Sequence, residues 1–403
     1  MPGRHLTIVL EQAAEQGGTE RVVETVLRHH PAARVLSPDF QETNVPAGSE
    51  PWWLDRVEPF ALRAPRRRPL WAPRYARRIA RSPLPASTEL LLTFSGHGWA
   101  LAAAAPPGVA HVSYMTGLPR SLYGEAARYR SAEPPPLRPV LRAALPWLRA
   151  DHARLVRRAD RVLTNSRASA HDLAAAYGID AQVLHPPVRT EFFTPAHRAR
   201  RHVLVVARLV PHKRVESAVE AARLAGLPVV VAGSGPQLER LRANAGPHAR
   251  FTGWVSDEQL RELYRGAIAL LCPSTEEFGI VMAEAQACGT PVVAPRAGGA
   301  LDIVEDERTG RLADDPSPRG LAAALRDVPL DAGACRASGA RFSEERFVAV
   351  LGAVLGAYAP AASTAETARS SGARASTAPA APRAASLACA QADGSSSART
   401  ASA

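Results

Sequence analysis

The chain has 403 residues, enough for two or three domains, and its hydrophobic content of 46% is that of a globular protein. It has no run of 18 apolar residues and no secretory cleavage pattern, so neither a transmembrane helix nor a signal peptide is expected. Its four cysteines are scattered without a C-x-x-C pair, which argues against a disulfide framework or a zinc site. Together these features predict a protein of the reducing cytoplasm.

The net charge of +11 has two interpretations, which the composition leaves open. It reflects either a bias toward Arg, Ala and Pro, or attraction to the phosphates of a nucleotide, a nucleic acid or an anionic membrane. Of the 49 basic residues, 48 are arginine, and the only lysine in the chain is Lys213.

Strand and helix patterns alternate along most of the chain. The first strand, "HLTIVL" (5–10), is followed by the Gly17-Gly18 break and a helical pattern, and further strands are predicted in "TELLLTFS" and "DRVLTNS". The second half is more regular, with strands in "RHVLVVARL", "PVVVAGSG", "ARFTGWV", "AIALLCPS" and "PVVAP" separated by helical segments. This alternation predicts parallel sheets built from right-handed crossovers.

The two alternating blocks meet at a segment rich in Pro and polar residues, 185–201, which we predict to be a hinge. We therefore expect an N-terminal domain at 1–193 and a second domain at 194–342. The amphipathic helix at 343–360 is expected to pack back on the body. The Ala-, Ser- and Pro-rich tail at 361–403 has too few large apolar residues to form a core, which predicts disorder.

The second half resembles the retaining glycosyltransferases of the GT-B fold, in the large family four that includes many mannosyltransferases. The stretches that carry this resemblance are "VVARLVPHKRVESAVEA", "VVAGSGPQLERL", "FTGWVSDEQLRELY", "PSTEEFGIVMAEAQACGTPVVAPRAGG" and "DERTGRL". In the first half "EQGGTERVV", "FSGHGWAL" and "DRVLTNSRASAHDLAAAYGIDAQVLHPPV" are also similar to the family. The resemblance implies an α/β protein with two facing Rossmann-like, doubly wound domains and a nucleotide sugar in the cleft between them. Ligands of open α/β sheets bind beyond the carboxyl ends of the strands, which agrees with that arrangement.

Two acids flank the turn of the "TEEFGIVMAEA" motif, and the resemblance assigns a role to each. A carboxylate can accept hydrogen bonds from two hydroxyl groups at once. Glu284 is the family position that accepts from the ribose hydroxyls, and Glu276 is the one that faces the transferred sugar. The backbone N–H groups between them are expected to meet phosphate and sugar oxygens, and they belong to Phe278, Gly279, Ile280 and Val281. The alternative is that both acids are ordinary solvated helix residues.

Arg208 and Lys213 are the family positions that hold the pyrophosphate. Two fixed cations can replace a divalent metal at a departing diphosphate, an electrostatic effect of roughly several kcal/mol in a dry site. No D-x-D cluster is present, so we expect no metal and no cofactor. Gly17 and Gly18 are expected to bring backbone N–H groups to the diphosphate, and Val255 to line the base pocket. The alternatives are a surface ion pair for Arg208, a plain turn at the glycines and a buried strand end at Val255.

The acceptor side departs from the family pattern. Relatives often carry Y-C-H-T-P-x-R, where this chain has "YMTGLPR" (114–120), so that Tyr114 and Arg120 match but Thr116 replaces the histidine. His97, in "SGHGW", matches another family histidine, and a buried structural histidine is the alternative. The candidates for the acceptor side are therefore His97, Thr116 and Arg120.

The segment at 63–81 contains eight Arg with Trp71 and Tyr75 and is not a nucleic-acid motif. It is suited to the surface of an anionic membrane or to an anionic acceptor, or it is a solvated basic loop. A peripheral position on the inner face of the membrane is thus one alternative to a fully cytoplasmic location.

The resemblance predicts transfer of a hexose, with retention, from a nucleotide diphosphate sugar to a saccharide or lipid-linked acceptor. Mannose from GDP-mannose is the first donor expected. No carboxylate in the N-terminal motifs is an obvious nucleophile, which favours a front-face route. The alternatives are a nucleotide-sugar epimerase of the same fold, a non-catalytic nucleotide-sugar-binding subunit and, on charge alone, a nucleic-acid binder.

Overall fold

Parallel strands joined by helices form two separate sheets, one from each half of the chain. The computed structural model describes residues 5–10, 17–37, 57–59, 72–95, 100–124 and 135–358. Position 97, residues 63–71 of the basic segment and the predicted disordered tail lie outside the described residues.

The first sheet has seven parallel strands in the order β3-β2-β1-β4-β5-β6-β7. Its strands are β1 (Leu6–Leu10), β2 (Arg34–Ser37), β3 (Val57–Pro59), β4 (Leu90–Ser95), β5 (Ala110–Met115), β6 (Arg161–Thr164) and β7 (Gln182–Val183). The helices of this half are α1 (Gly18–His29), α2 (Ala72–Arg81), α3 (Leu137–Val156) and α4 (Arg167–Tyr177), with a 3₁₀ turn at Ala100–Ala102.

The second sheet has six parallel strands in the order β10-β9-β8-β11-β12-β13. They are β8 (His202–Val206), β9 (Val229–Ala232), β10 (Ala249–Gly253), β11 (Ala267–Leu271), β12 (Val292–Pro295) and β13 (Gly310–Ala313). Its helices are α5 (Val215–Ala225), α6 (Leu238–Asn244), α7 (Asp257–Arg265), α8 (Ile280–Ala287), α9 (Ala300–Ile303), α10 (Pro318–Arg326) and α11 (Ala332–Ala340). A 3₁₀ turn at Pro211–Lys213 precedes α5, and α12 (Glu344–Ala357) ends the described chain. These two doubly wound sheets confirm the predicted fold class.

Helix ends follow the local sequence. Ser256 caps α7, and its side chain and that of Gln259 form a capping box. Gly178 and Gly226 end α4 and α5 in the left-handed conformation that glycine adopts at little cost.

Five strands were not predicted from the sequence: β2, β3, β5, β7 and β13. Four of them are two to four residues long, too short to show a period. β5 has six residues but contains two buried polar side chains, His111 and Ser113, which interrupt its apolar pattern. His111 lies in the core because its Nε2 is 2.9 Å from Thr93 Oγ1, and burial lowers its pKa to about 4.

The last helix returns to the first half of the molecule. Phe347, Leu351 and Leu355 on α12 join the buried cluster that covers one face of the first sheet. Glu344, at the start of α12, accepts hydrogen bonds from Thr25 and Arg28 on α1. The chain therefore passes between the two halves twice, before β8 and again before α12.

Strand order reverses between β1 and β4 in the first sheet and between β8 and β11 in the second. Such switch points open a crevice beyond the carboxyl ends of the strands, where ligands of doubly wound proteins bind. The loops after β8 and β11 contain Lys213 and Glu276, so the fold brings together residues 63 positions apart.

Candidate functional site

A partly buried ion pair at the switch point of the second sheet joins Lys213 to Glu276. Lys213 Nζ donates to Glu276 Oε2 at 2.5 Å, and Ser274 Oγ donates to Glu276 Oε1 at 2.8 Å. The side chains of Lys213 and Glu276 are only 18% and 15% exposed. The carboxylate of Glu276 is therefore fixed through both of its oxygens, and it precedes α8 rather than lying on it.

Two glycines after β12 shape the loop that holds Glu276. Gly298 has φ +63°, and a Cβ there would lie 2.3 Å from the carbonyl oxygen of Glu276. A Cβ on Gly299 would lie 2.2 Å from the carbonyl oxygen of Phe278, and the Gly299 N–H donates to Glu276 O at 2.9 Å. The sequence reasoning gave this pair no role, although a Gly-Gly pair shortly after the predicted strand "PVVAP" was an available signal.

The start of α8 faces the glycine loop of the first half. Gly279 adopts φ +90°, and α8 begins at the next residue, Ile280. The backbone N–H groups in the first turn of α8 have no hydrogen-bond partner within the helix. A Cβ on Gly18 would lie 3.1 Å from Ile280 Cδ1, so the two segments are in close contact. Val281, one residue further along α8, packs on the core of the second half. The structure thus brings together the predicted donor-binding segments that follow β1 and β11.

Glu284 is buried inside this region, with a relative exposure of 1%. Tyr264 donates its hydroxyl to Glu284 Oε2 at 2.9 Å, and Arg21 Nη1 forms an ion pair with Oε1. Burial raises the pKa of Glu284, while the charge of Arg21 opposes that rise. The alternative that Glu276 and Glu284 are solvated helix acids is wrong.

Arg21 was missed by the sequence reasoning, although it lies three residues after Gly18 in the quoted "GGTERVV" motif. It comes from α1 of the first half, and its Nη2 lies 3.4 Å from Asp257 Oδ1 at the start of α7. Asp257 also pairs with Arg189 through its other oxygen. An alternating chain of cations and carboxylates therefore joins the two halves beside Glu284.

Arg208 and Val255 lie at the same end of the second sheet as Lys213. Arg208 follows β8 and is exposed, and Val255 follows β10 and packs, partly buried, on the core of the second half. Their predicted contacts with diphosphate and base stay predictions.

The predicted acceptor residues lie on the loop after β5. The N–H of Thr116 donates to Ser95 O at 3.2 Å, and its carbonyl accepts from Asn165 Nδ2 at 3.1 Å. Arg120 donates to Glu277 Oε1 from Nε at 2.9 Å and from Nη2 at 2.5 Å. A pocket of about 200 Å³ lies here and is lined by residues of both halves, including Arg120, Glu276 and Glu277. His97 lies outside the described residues.

Within the described residues, no helix has both the length and the apolar character needed to cross a bilayer. Similarly, the described residues contain no group of three or more His, Cys, Asp or Glu side chains that could hold a metal ion.

Two family models match consecutive parts of the chain. Residues 16–192 match the model described as Glycosyltransferase Family 4, and residues 189–342 match that of the Glycosyl transferases group 1. Together they span well over half of the sequence.

The chain is also similar to proteins named D-inositol 3-phosphate glycosyltransferase. The protein of Geodermatophilus obscurus is 39% identical over 247 residues, which is 52% of this chain and 54% of that protein. The protein of Mycolicibacterium smegmatis is 33% identical over 262 residues, or 58% of each chain. The chain thus spans about half the length of the curated relatives it matches.

Solved structures share the fold at low sequence identity. Anabaena Alr3699/HepE, in complex with UDP, is 16% identical with a TM-score of 0.65, covering 88% of this chain and all of that chain. Sucrose-phosphate synthase from Thermosynechococcus elongatus is 18% identical with a TM-score of 0.65, covering 87% of this chain and 98% of that one. With its two doubly wound sheets and both family matches, the chain belongs to the group 1, family 4 glycosyltransferases of the GT-B fold.

Proposed function

We propose that this protein transfers a hexose from a nucleotide diphosphate sugar to a hydroxyl group of an acceptor, with retention of the anomeric configuration. The observation that carries the proposal is the fixed Lys213–Glu276 pair at the β8/β11 switch point of a family 4 fold. Its support from relatives is limited to about half of their length.

Lys213 is suited to stabilise a departing diphosphate. An ammonium group has three N–H donors, and within the described part of the chain one of them is used, by Glu276, so two can be directed at phosphate oxygens. Negative charge grows on the diphosphate as the sugar C1–O bond breaks, and a fixed cation in a partly buried site favours that change. Arg208, after the same strand, is proposed as the second cation, and the two make a metal unnecessary for this step.

Glu276 is proposed to accept hydrogen bonds from hydroxyls of the transferred sugar, since its carboxylate is oriented by Lys213 and Ser274. In a front-face route the C1–O bond to the diphosphate breaks and the acceptor oxygen bonds to C1 on the same face. The acceptor's hydroxyl proton moves to the departing phosphate oxygen. This sequence needs no carboxylate nucleophile and retains the anomeric configuration.

Glu284 is proposed to accept from the ribose hydroxyls, with backbone groups of the Gly17-Gly18 loop and of Phe278–Val281 near the diphosphate and Val255 near the base. In the described conformation both Glu284 oxygens already have partners, Arg21 and Tyr264. Each oxygen keeps a second lone pair, but Glu284 is only 1% exposed, so the ribose hydroxyls can reach it only if the partly exposed Arg21 side chain moves.

The donor and acceptor are proposed only by class. GDP-mannose is the donor expected from the sequence, while HepE is named for its complexes with UDP and UDP-glucose. The relatives are named for an inositol phosphate acceptor, and the sequence favours a saccharide or lipid-linked one. A cytoplasmic location and contact of the basic segment with an anionic membrane stay predictions.

The test is a panel in which GDP-mannose, UDP-glucose and UDP-N-acetylglucosamine are each incubated with the protein and mixed sugar and polyol acceptors. We expect one donor to release nucleoside diphosphate faster when an acceptor is present, in EDTA as well as without it, and the product to keep the donor's anomeric configuration by NMR. Conversion of the donor sugar to an epimer without an acceptor would instead indicate an epimerase. Nucleotide binding without turnover of any donor would indicate a non-catalytic subunit.

A further inference from the structure

The pocket next to Glu276 is bounded by both halves of the molecule and is separate from the α8 region proposed for the nucleotide. The loop after β5 provides Gly117 and Arg120, α4 provides Ser169 and Asp172, and the loop after β11 provides Glu276 and Glu277. A hydroxyl group entering here would approach the sugar held at Glu276, so the pocket has the position required of an acceptor site.

Arg120 and Glu277 form an ion pair across this pocket. Nε and Nη2 of Arg120 both donate to Glu277 Oε1, at 2.9 and 2.5 Å, and the two side chains are 29% and 37% exposed. Gly117 makes room for Glu277, because a Cβ at that position would lie 3.0 Å from Glu277 Cγ. The guanidinium fork, the group best shaped to bind a phosphate, is therefore occupied by a carboxylate of the protein itself.

The charges around the pocket disfavour an anionic acceptor. Among the described residues that line it, Arg120 is the cation, and the carboxylates are Asp172, Glu276 and Glu277. Lys213 balances Glu276 and Arg120 balances Glu277, which leaves Asp172 as an additional negative charge. A phosphate that reached Arg120 would have to displace Glu277 and leave that carboxylate beside it, and like charges in a partly buried site repel strongly.

We propose that Glu277 is a specificity-determining residue: by occupying Arg120 it makes the acceptor pocket accept uncharged polyhydroxyl compounds and reject phosphorylated ones. This inference rests on the proposed function, because it deepens the acceptor side of the same reaction. It distinguishes the chain from relatives named for a phosphorylated inositol.

The test compares wild-type protein with Glu277→Gln, which keeps the size of the side chain and removes its charge. The probes are glucose and glucose 6-phosphate, and their affinities are measured by calorimetry on the full chain without donor. We expect the ratio of glucose 6-phosphate to glucose affinity to rise at least tenfold in the variant. Adding Arg120→Gln should remove that gain, because the guanidinium that no longer faces the Glu277 carboxylate is what binds the phosphate.

Glu220→Gln is the matched control. Glu220 accepts from Nε and Nη2 of Arg223 at 2.7 and 2.6 Å and is 41% exposed, so the change removes the same charge from a similar pair outside the pocket. The proposal is overturned if Glu277→Gln leaves the affinity ratio unchanged, if the gain survives loss of Arg120, or if Glu220→Gln produces the same gain. Melting temperatures establish that each variant is folded, and Glu277→Ser repeats the comparison if the glutamine variant is not. Because these measurements use no donor, their failure is distinct from failure to transfer sugar.

Discussion

Lys213, the only lysine in a chain with 48 arginines, donates a hydrogen bond to Glu276 at the centre of the proposed site. In Lys213→Arg the positive charge is kept, but a wide planar fork replaces a compact ammonium that is 18% exposed. The guanidinium must displace Glu276 or the diphosphate, and a shift of about 1 Å can cost on the order of a hundredfold in rate. We expect the loss mainly in kcat, measured by steady-state kinetics, because the diphosphate charge grows toward the transition state.

Arg214→Lys is the control for that change. Arg214 is the neighbouring residue, is exposed, and donates to Pro316 O at 3.0 Å rather than to a member of the proposed site. Near-wild-type kcat in both variants would remove Lys213 from the reaction.

Arg21 competes with the nucleotide for Glu284 if Glu284 binds ribose. In Arg21→Gln the ion pair to Glu284 is removed, so a nucleoside diphosphate no longer has to displace it. We expect its affinity, measured by calorimetry, to rise by about tenfold, a change of ~1.4 kcal/mol and comparable to one charged hydrogen bond. Glu284→Gln, which removes the charged acceptor, should weaken the same affinity. A fall in affinity in Arg21→Gln would show instead that Arg21 binds the nucleotide itself.

At the scale of elements, the loop after β12 is in backbone contact with the loop that carries Glu276. Gly298 and Gly299 allow this contact, since a Cβ on either would lie within 2.3 Å of a carbonyl oxygen of Glu276 or Phe278. Both carbonyls are backbone groups and cannot rotate away as a side chain could. The two loops would therefore have to separate to make room for the methyl group of an alanine at either position. The orientation of Glu276 therefore depends on a segment that contains no reactive group.

Gly299→Ala tests this dependence. We expect a loss of unfolding free energy of about 1–3 kcal/mol in urea titrations, typical of overpacking, and a fall in kcat larger than the change in KM for donor. Gly352→Ala in α12 is the control, because no atom lies within 4 Å of its added Cβ and alanine favours a helix by up to about 1 kcal/mol. Wild-type kcat in folded Gly299→Ala would contradict the proposed support of Glu276.

At the scale of the whole molecule, Asp302 joins the two halves. Asp302 lies on α9, and its side chain is 2% exposed. Its carboxylate accepts hydrogen bonds from Arg167 N at 2.8 Å and from Arg167 Nε at 2.6 Å. His185 Nε2 lies 3.0 Å from the same carboxylate. Burial opposes its charge, but the hydrogen bonds from His185 and Arg167 outweigh burial and lower its pKa from 3.8 to about 2.

Because this pKa is lower in the folded than in the unfolded chain, the charge of Asp302 stabilises the fold above about pH 4, and this contribution is lost as pH falls toward 2. The shift corresponds to about 2 kcal/mol. We expect the difference in unfolding free energy between wild type and Asp302→Asn, measured in urea at a series of pH values, to shrink across that window. A difference that stays constant with pH would show that the carboxylate charge does not hold the halves together.

The sequence by itself determined the fold class and the family, and it predicted the segments of the donor side. The alternation of strands and helices in the second half is recognisable because several strands there are largely buried apolar runs, as in "VVVA" and "AIALL". The segment around Glu276 was recognisable because glycine, acids and the start of a helix occur at fixed spacing in one short stretch. Helix ends at Gly178 and Gly226 depend on local conformation, which neighbouring residues alone decide.

Only the tertiary structure decided which side chains from distant segments meet. The pairs Arg21–Glu284, Arg120–Glu277 and Arg167–Asp302 are separated by 263, 157 and 135 residues. Charged residues are common along this chain, and no local period distinguishes an arginine that crosses between the halves from one that faces water. Each partner follows the carboxyl end of a strand in its own sheet, so the crossing pairs depend on how the folded chain sets the loops of one half against those of the other.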